Sequence, residues 1–169
     1  MSDSTLERIW KALEAVPDPE IPVVSIRELG ILRDVRRLAD SVIEVVITPT
    51  YSGCPAMSQI AEDIHVALRA AGVESYRLTT ILAPAWTTDW MTEEARDKLR
   101  RYGIAPPVPG RPPTGEQPVA FVRNPLEQPV CPRCGSRRTV RVAQFGSTAC
   151  KALYRCLDCR EPFDYFKRY

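Results

Sequence analysis

Four cysteines near the C-terminal end constrain the fold of this chain more than any other feature. They form two Cys-x-x-Cys pairs, Cys131 with Cys134 and Cys156 with Cys159, and 21 residues separate the pairs. A two-residue gap lets a tight turn direct two thiolates at one centre, and four converging thiolates are a ligand set of structural zinc. We therefore predict that these four cysteines bind one structural Zn²⁺. The alternatives are two disulfides or four free thiols.

The remaining sequence favours the metal over disulfides. The chain begins with the polar residues Met1-Ser2-Asp3-Ser4, which do not form a secretory signal. No apolar run approaches the roughly 18–20 residues of a membrane span. We therefore expect a cytoplasmic location, where thiols stay reduced and paired Cys-x-x-Cys motifs are typical of metal sites.

Residues 1–103 have the pattern of a small α+β domain. Apolar residues at helical spacing predict a first helix that ends at Pro17, and a second one lies between Pro55 and Gly72. Runs of β-branched residues predict a hairpin of strands 31–38 and 42–48, and a third strand over 76–82. Thr92 is positioned to cap a further helix. The order αββαβα predicts helices packed on one face of a small sheet.

A proline-rich segment separates this domain from the cysteine pairs. Residues 104–119 contain six prolines, and we place a semi-rigid linker at 104–128. Residues 129–169 then carry short aromatic and β-branched runs between the cysteine pairs, as the short hairpins of a zinc ribbon do. So few residues hardly bury a sufficient core, and the metal is expected to replace one.

The charge distribution divides the chain in the same way. Residues 1–120 carry 13 basic and 17 acidic side chains, whereas residues 121–169 carry 10 basic and 4 acidic ones. The halves therefore have net charges of −4 and +6. A basic ribbon fits nucleic acid or an acidic protein, and it is also what keeps a small domain in solution.

Three further residues are candidates for chemistry. Cys54 follows a strand and Gly53 at the predicted N-terminus of a helix, where free amides and the helix dipole are expected to lower its pKa. Asp18 and Glu20 flank Pro19 in a stiff segment, where their carboxylates suit metal binding, helix capping or simple solvation. Cys150, a lone thiol in the ribbon, is interpreted as a packed strand residue, an alternative ligand or an auxiliary redox thiol.

The single histidine argues against a catalytic oxygenase. Glu62 and His65 have the spacing of half a carboxylate di-iron site, but such a site needs a second pair, and the sequence contains no other histidine. The same fact disfavours a Ser-His or Cys-His dyad. We therefore do not expect an oxygen-activating iron enzyme.

Two segments resemble a known family. The run Asp18-Pro19-Glu20-Ile21-Pro22-Val23-Val24-Ser25-Ile26-Arg27-Glu28-Leu29-Gly30-Ile31 and the run Thr48-Pro49-Thr50-Tyr51-Ser52-Gly53-Cys54-Pro55-Ala56 are similar to the small domain of iron–sulfur assembly factors. Together with a ribbon that contains Ala149-Cys150-Lys151-Ala152-Leu153-Tyr154, they resemble the D-subunit family of the bacterial phenylacetyl-CoA epoxidase system.

The resemblance implies an accessory protein of phenylacetate catabolism that matures or delivers an iron–sulfur cluster, or iron, to the reductase component of the epoxidase system. It implies that Cys54 is the transient ligand of iron or a [2Fe–2S] cluster and that Asp18 and Glu20 shape its pocket. Since one thiolate cannot hold a cluster alone, sharing across a homodimer is one way to complete the ligand set.

Three other functions stay open from the sequence. One is a thiol-redox enzyme that uses Cys54 with Cys150. The chain fits a structural or docking component of the epoxidase complex, with Trp86 and Trp90 as contact residues, and it fits a nucleic-acid-binding zinc ribbon. No membrane partner is expected.

Overall fold

The computed structural model describes residues 3–39, 42–108 and 128–169. The chain divides into two compact units, Met1–Ala95 and Arg96–Tyr169, which are treated separately below. The helix α3 (Glu93–Tyr102) crosses this division. The helices in the described ranges are all too short or too polar to cross a membrane.

The N-terminal unit contains a three-stranded mixed sheet and two helices of more than ten residues. In chain order its elements are α1 (Asp3–Glu14), β1 (Leu32–Arg37), β2 (Ile43–Ile47), α2 (Ala56–Ala70), β3 (Tyr76–Thr80) and a 3₁₀ turn at Thr88–Trp90. The strand order is β1-β2-β3, with β1 antiparallel and β3 parallel to the central β2. The predicted strands and helices are therefore all present, with ends that differ by one to three residues.

The helices form because their apolar side chains fall on one face. In α2 the buried residues are Ala56, Ile60, Ile64 and Leu68, at the i, i+4 spacing that buries one stripe. Pro55 stands at the N-cap of α2, where its missing N–H costs nothing. The core that results contains fully buried side chains from α1, from the segment before β1, from β2 and from α2, among them Ile9, Leu13, Ile21, Ile26, Leu29, Ile31, Ile47, Ile60, Ile64 and Leu68.

The segment between α1 and β1 is a set of turns held by local hydrogen bonds. Ser25 and Glu28 exchange bonds, since the Ser25 N–H donates to Glu28 Oε2 at 2.8 Å and the Glu28 N–H donates to Ser25 Oγ at 3.2 Å. Gly30 closes the segment with φ of +76°, and a Cβ there would lie 2.7 Å from Trp90 Cβ. Glycine is therefore required at position 30 by both its backbone and its neighbour.

The two tryptophans are engaged within this unit. Trp86 is buried, and its Nε1 donates to the Leu29 carbonyl oxygen at 3.0 Å. Trp90 is half-buried, and the Arg33 guanidinium lies 3.5 Å from its ring centroid. These contacts explain the tryptophans by packing, so they give no support to a pair of exposed contact residues.

The C-terminal unit contains a four-stranded sheet. Its strands are β4 (Ile104–Ala105), β5 (Thr139–Ala143), β6 (Lys151–Cys156) and β7 (Pro162–Phe166), in the order β4-β7-β6-β5. The pairs β5–β6 and β6–β7 are antiparallel, which are the short hairpins expected of a ribbon. β4 pairs in parallel with β7 and was not predicted.

The predicted linker lies largely outside the described residues, since 109–127 are not described. Its first two residues, Ile104 and Ala105, are buried in the second sheet. The predicted domain limits at residues 103 and 129 stay predictions.

Candidate functional site

The four cysteines of the two Cys-x-x-Cys pairs converge in the C-terminal unit. All four sulfurs lie within 4.8 Å of one another, with 3.7 Å between Cys131 and Cys159 and 3.5 Å between Cys134 and Cys156. Four sulfurs arranged tetrahedrally at the Zn–S distance of about 2.3 Å would be about 3.8 Å apart. A disulfide requires about 2.05 Å. The separations therefore fit a four-thiolate metal centre and not two disulfides.

Each cysteine pair sits in a tight turn of the same design. The Cys131 N–H donates to the Ser136 carbonyl at 2.9 Å, and the Cys156 N–H donates to the Glu161 carbonyl at 3.0 Å. The residue after the second cysteine of each turn has a positive φ, +75° at Gly135 and +70° at Arg160. The two turns are thus related by local structure, although only one of them carries the glycine that this conformation favours.

The cysteine turns and the proximity of the sulfurs have opposite effects on protonation. The Glu161 backbone lowers the pKa of Cys159, but burial and the other three sulfurs raise it to about 12. A hydrogen bond from the backbone N–H of Cys159, followed by one from Asp158, lowers the pKa of Cys156 to about 6. Backbone amides that point at a sulfur stabilise the thiolate, which is the form that binds metal.

The core around these sulfurs is small. It contains seven buried residues, Ala105, Cys131, Ala152, Tyr154, Cys156, Phe163 and Tyr165, so two of its members belong to the cysteine centre. Tyr154 contacts the Phe163 ring at 6.0 Å and the Tyr165 ring at 5.5 Å between centroids. Because so few side chains are buried, a metal at the centre would supply a large part of this unit's stability.

Cys150 stands apart from the metal centre. It is buried, and its sulfur lies 3.0 Å from Thr148 Oγ1. The group of sulfurs found among the described residues does not include it. Cys150 lies in the turn just before β6, so it is a packed residue but not a strand residue. A role as an alternative ligand or auxiliary thiol stays a prediction.

The second sulfur site is Cys54, in the loop between β2 and α2. The thiol is half-buried, and the Cys54 carbonyl accepts from the Met57 N–H at 3.3 Å in the first turn of the helix. Hydrogen bonding from the Ala56 backbone and from the Thr50 and Tyr51 side chains lowers the pKa of the thiol. Each of these groups thus favours the thiolate form.

The expected low pKa of Cys54 is wrong. Burial is the largest cause and raises the pKa of this thiol. Hydrogen bonding from the Ala56 backbone lowers that pKa, the negative charge of Glu20 raises it, and Thr50 and Tyr51 lower it by smaller amounts. The sequence pattern correctly placed the helix N-terminus, but it could not show how deeply the sulfur lies or that a carboxylate stands near it. Cys54 is therefore a protonated thiol at neutral pH.

Asp18 and Glu20 have different places. Asp18 is buried, and its Oδ1 accepts from the Glu20 N–H at 2.9 Å and from the Ile21 N–H at 2.8 Å. Glu20 is half-exposed and close enough for its charge to act on Cys54. Asp18 therefore shapes the turn, and the turn carries Glu20 toward the thiol.

His65 is accounted for by packing. Its Nδ1 and the Tyr76 hydroxyl form a hydrogen bond of 2.8 Å between α2 and β3. The structure thus gives the single histidine a partner in the fold. Sequence reasoning missed Thr50 and Tyr51, although the hydroxyl-rich run just before Cys54 was a signal for donors near the thiol.

Two family profiles match the chain, one in the N-terminal unit and one in the part that contains the four ribbon cysteines. The profile described as iron–sulfur cluster assembly protein matches residues 6–75, and the profile described as the PaaD zinc beta ribbon domain matches residues 115–167. The fold and the two sulfur sites thus define a protein with an iron–sulfur assembly domain and a zinc ribbon.

Similar proteins narrow this class. The chain is 46% identical over 162 residues to an Escherichia coli K12 protein that is provisionally named as the D subunit of 1,2-phenylacetyl-CoA epoxidase; the match covers 96% of this chain and 92% of that protein. The chain belongs to the D-subunit family of phenylacetyl-CoA epoxidase.

Relatives of the N-terminal unit are found outside this family. An Fe-S protein maturation auxiliary factor of Porphyromonas gingivalis is 37% identical over 96 residues, which cover 56% of this chain and 90% of that protein. A solved domain of unknown function, DUF59, from Bacillus anthracis matches with a TM-score of 0.52 and 28% identity, over 57% of this chain and 92% of that one. Both matches cover little more than half of this chain and nearly all of the relative.

Proposed function

We propose that this chain is an accessory protein of phenylacetate catabolism that delivers an iron–sulfur cluster, or iron, to the phenylacetyl-CoA epoxidase system, with the reductase component as its client. The observation that carries the proposal is Cys54, a half-buried thiol in the loop before α2, on whose pKa hydrogen bonding from Ala56, Thr50 and Tyr51 and the charge of Glu20 act. The family of the N-terminal domain and the names of its relatives support it. The chain then acts as a carrier in the cytoplasm and not as an enzyme.

The chemistry at Cys54 is ligand exchange. The Cys54 sulfur bonds to an incoming iron, the bond between that iron and its donor ligand breaks, and the thiol proton passes to the ligand that leaves. Delivery reverses the exchange, since a client thiol bonds to the iron and gives its proton to the Cys54 sulfur as the Cys54–iron bond breaks. No step changes an oxidation state, so no reductant is required.

Glu20 favours both the resting thiol and the binding of iron. Its negative charge keeps the resting thiol protonated, because a second negative charge nearby is unfavourable. The same charge attracts an iron cation, and the carboxylate is a suitable iron ligand. Asp18 takes part through the backbone of the turn that it holds. A [2Fe–2S] cluster needs more sulfur than one chain offers at this site, so we propose a homodimer that shares it.

The ribbon has a structural role in this proposal. Cys131, Cys134, Cys156 and Cys159 hold one Zn²⁺ permanently, since their separations already match a tetrahedral set. The ion fixes the two turns on one small core. In this proposal the zinc ion is not exchanged with the client protein.

The experiment is anaerobic delivery to the purified apo-reductase by wild type, Cys54→Ala and the matched control Cys150→Ala. We expect Cys54→Ala to keep one zinc per chain and its native stability within about 1 kcal/mol, because the thiol is only half-buried. Its delivery, followed by reductase iron and sulfide content, is expected to fall at least about tenfold. Cys150→Ala is expected to deliver normally. Delivery by Cys54→Ala at the wild-type level would refute the proposal.

A further inference from the structure

The loops at the carboxyl ends of β2 and β3 form an uncharged edge of the N-terminal unit. Ile47 and Thr80 are paired in the parallel register, and the Ile81 N–H donates to the Ile47 carbonyl at 2.9 Å. The chain leaves both strands at the same place, as residues 48–55 with Cys54 and as residues 81–88. Carboxyl ends of parallel strands are a frequent place for binding sites.

The two loops at this edge, residues 48–55 and 81–88, contain no charged side chains. A quarter of all residues are charged, yet no Asp, Glu, Lys or Arg occurs between Glu44 and Glu62 or between Arg77 and Asp89. Both loops lie inside these two stretches. Glu20, which comes from the turn before β1, is thus the carboxylate that the structure places near Cys54.

The second loop presents apolar side chains to solvent. Leu82 is 63% exposed, more than any other large hydrophobic residue among the described ones, and Ala83, Pro84 and Ala85 are also exposed. Trp86 then anchors the loop through its bond to the Leu29 carbonyl oxygen. An exposed apolar stretch fixed at one end by a buried tryptophan is a suitable contact element, since little order has to be gained on binding.

We propose that residues 82–85 dock on a neutral, apolar pocket of the client protein, next to the client's own cluster ligands. The inference rests on the proposed function of Cys54 and names the partner surface that this thiol meets. A partner that closes over Cys54 buries both loops, and charged groups in either surface would lose their hydration. We therefore expect the client surface that contacts this uncharged edge to be uncharged as well. An acidic partner would instead fit the basic ribbon.

The chain offers a matched control for this contact. Val66, on the outer face of α2, is 57% exposed and belongs to the same unit. Leu82→Asp and Val66→Asp thus place the same charge on similarly exposed apolar positions. Leu82 lies at the uncharged edge, whereas Val66 lies on α2. Both positions are exposed, so neither variant is expected to unfold the unit.

The test measures binding of the full chain to purified apo-reductase under anaerobic conditions at 50 and 500 mM NaCl. We expect Leu82→Asp to weaken binding at least about tenfold, because a buried leucine contributes on the order of such a factor. Val66→Asp is expected to stay within about twofold of wild type. Wild-type affinity is expected to change less than about threefold with salt, since no charge pairs form at this edge.

Several outcomes overturn the inference. For the variants, they are binding of Leu82→Asp with wild-type affinity, equal losses of affinity in Leu82→Asp and Val66→Asp, or loss of self-association as the sole effect of Leu82→Asp. For the wild type, they are a steep fall of affinity with salt or no binding to the reductase. Loss of self-association alone would mean that a second copy of this chain covers the loop.

Cys54→Ala keeps this test separate from that of the proposed function. The variant is expected to bind as wild type while delivering less. If it delivers normally, the carrier function fails while a binding loss in Leu82→Asp would still show the docking surface. If it fails to deliver and Leu82→Asp binds and delivers normally, the docking inference alone is wrong.

Discussion

The two sulfur sites of this chain differ in what surrounds the sulfur. In the C-terminal unit four sulfurs lie within 4.8 Å of one another, and two of them belong to a core of seven residues. In the N-terminal unit Cys54 is half-buried and is not one of the buried core residues. We therefore expect the sulfurs of the C-terminal unit to matter more for folding than Cys54 does.

The electrostatic surroundings differ in the same sense. Backbone amides of the cysteine turn lower the pKa of Cys156 to about 6, whereas burial and Glu20 raise the pKa of Cys54. A ligand that holds its metal permanently gains from being a ready thiolate. On the proposed function, Cys54 accepts and releases its cargo, and a protonated resting thiol favours release because the sulfur takes up a proton when the cargo leaves.

The largest expected effect is therefore loss of the C-terminal fold in Cys156→Ser. Cys156 is fully buried in the centre of the small core, and structural zinc contributes about 10–16 kcal/mol in zinc-finger peptides. We expect the zinc content to fall from one per chain to near zero and residues 128–169 to become sensitive to protease. Metal analysis and limited proteolysis measure both.

Cys150→Ala is the control for this comparison, because Cys150 is equally a buried ribbon cysteine but lies outside the sulfur group. It is expected to keep its zinc and to lose only about 1–2 kcal/mol, as for a small buried side chain. Full zinc and protease resistance in Cys156→Ser would contradict the role assigned to the metal.

The success of sequence reasoning differs between the two sites for the same physical reason. The ribbon centre was predictable because the spacing of Cys131, Cys134, Cys156 and Cys159 is itself the geometry of a tight turn. The helix beginning near Ala56 was predictable because its apolar period is local. Both signals are contained in short stretches of sequence.

The pKa of Cys54 was not predictable, because its causes are not local. Glu20 approaches from the turn before β1, and the depth of the thiol depends on packing of the whole unit. The strand β4 was missed in a related way, since two residues carry no periodic signal and its partner β7 lies far along the chain. Long-range contacts set both features.

A smaller effect is expected when the turn that carries Glu20 loses its anchor. Asp18→Ala leaves the Glu20 and Ile21 amides without the carboxylate that now accepts from both, and the Ile21 amide is buried. We expect a loss of about 2–4 kcal/mol in the free energy of unfolding of the N-terminal unit, measured by urea denaturation.

Asp18→Asn separates the hydrogen bonds from the charge. It keeps an oxygen acceptor at the same place and is expected to lose about 1 kcal/mol, since a neutral acceptor bonds less strongly. Zinc content should be normal in both variants, because the ribbon is the other unit. Native stability of Asp18→Ala would show that the turn does not depend on this carboxylate.

The smallest effect concerns reactivity alone. Glu20 raises the pKa of Cys54, so Glu20→Gln removes a negative charge and lowers that pKa. At a fixed pH of about 8 a larger fraction of the thiol is then ionised, and alkylation by iodoacetamide, which requires the thiolate, becomes faster. In wild type the rate should rise with pH up to a midpoint above that of an ordinary cysteine, and in Glu20→Gln the same curve should shift to lower pH. Mass spectrometry of the peptide that contains Cys54 distinguishes alkylation of this thiol from alkylation of the ribbon cysteines.

Glu62→Gln, which exchanges an exposed carboxylate on α2, is the matched control and should leave the curve of alkylation rate against pH unchanged. Because the shift is electrostatic and the site is half-buried, it should shrink only in part when the salt concentration is raised. An unchanged curve in Glu20→Gln would mean that burial alone holds the proton on Cys54, and the carboxylate would then lose its part in retaining and releasing the cargo.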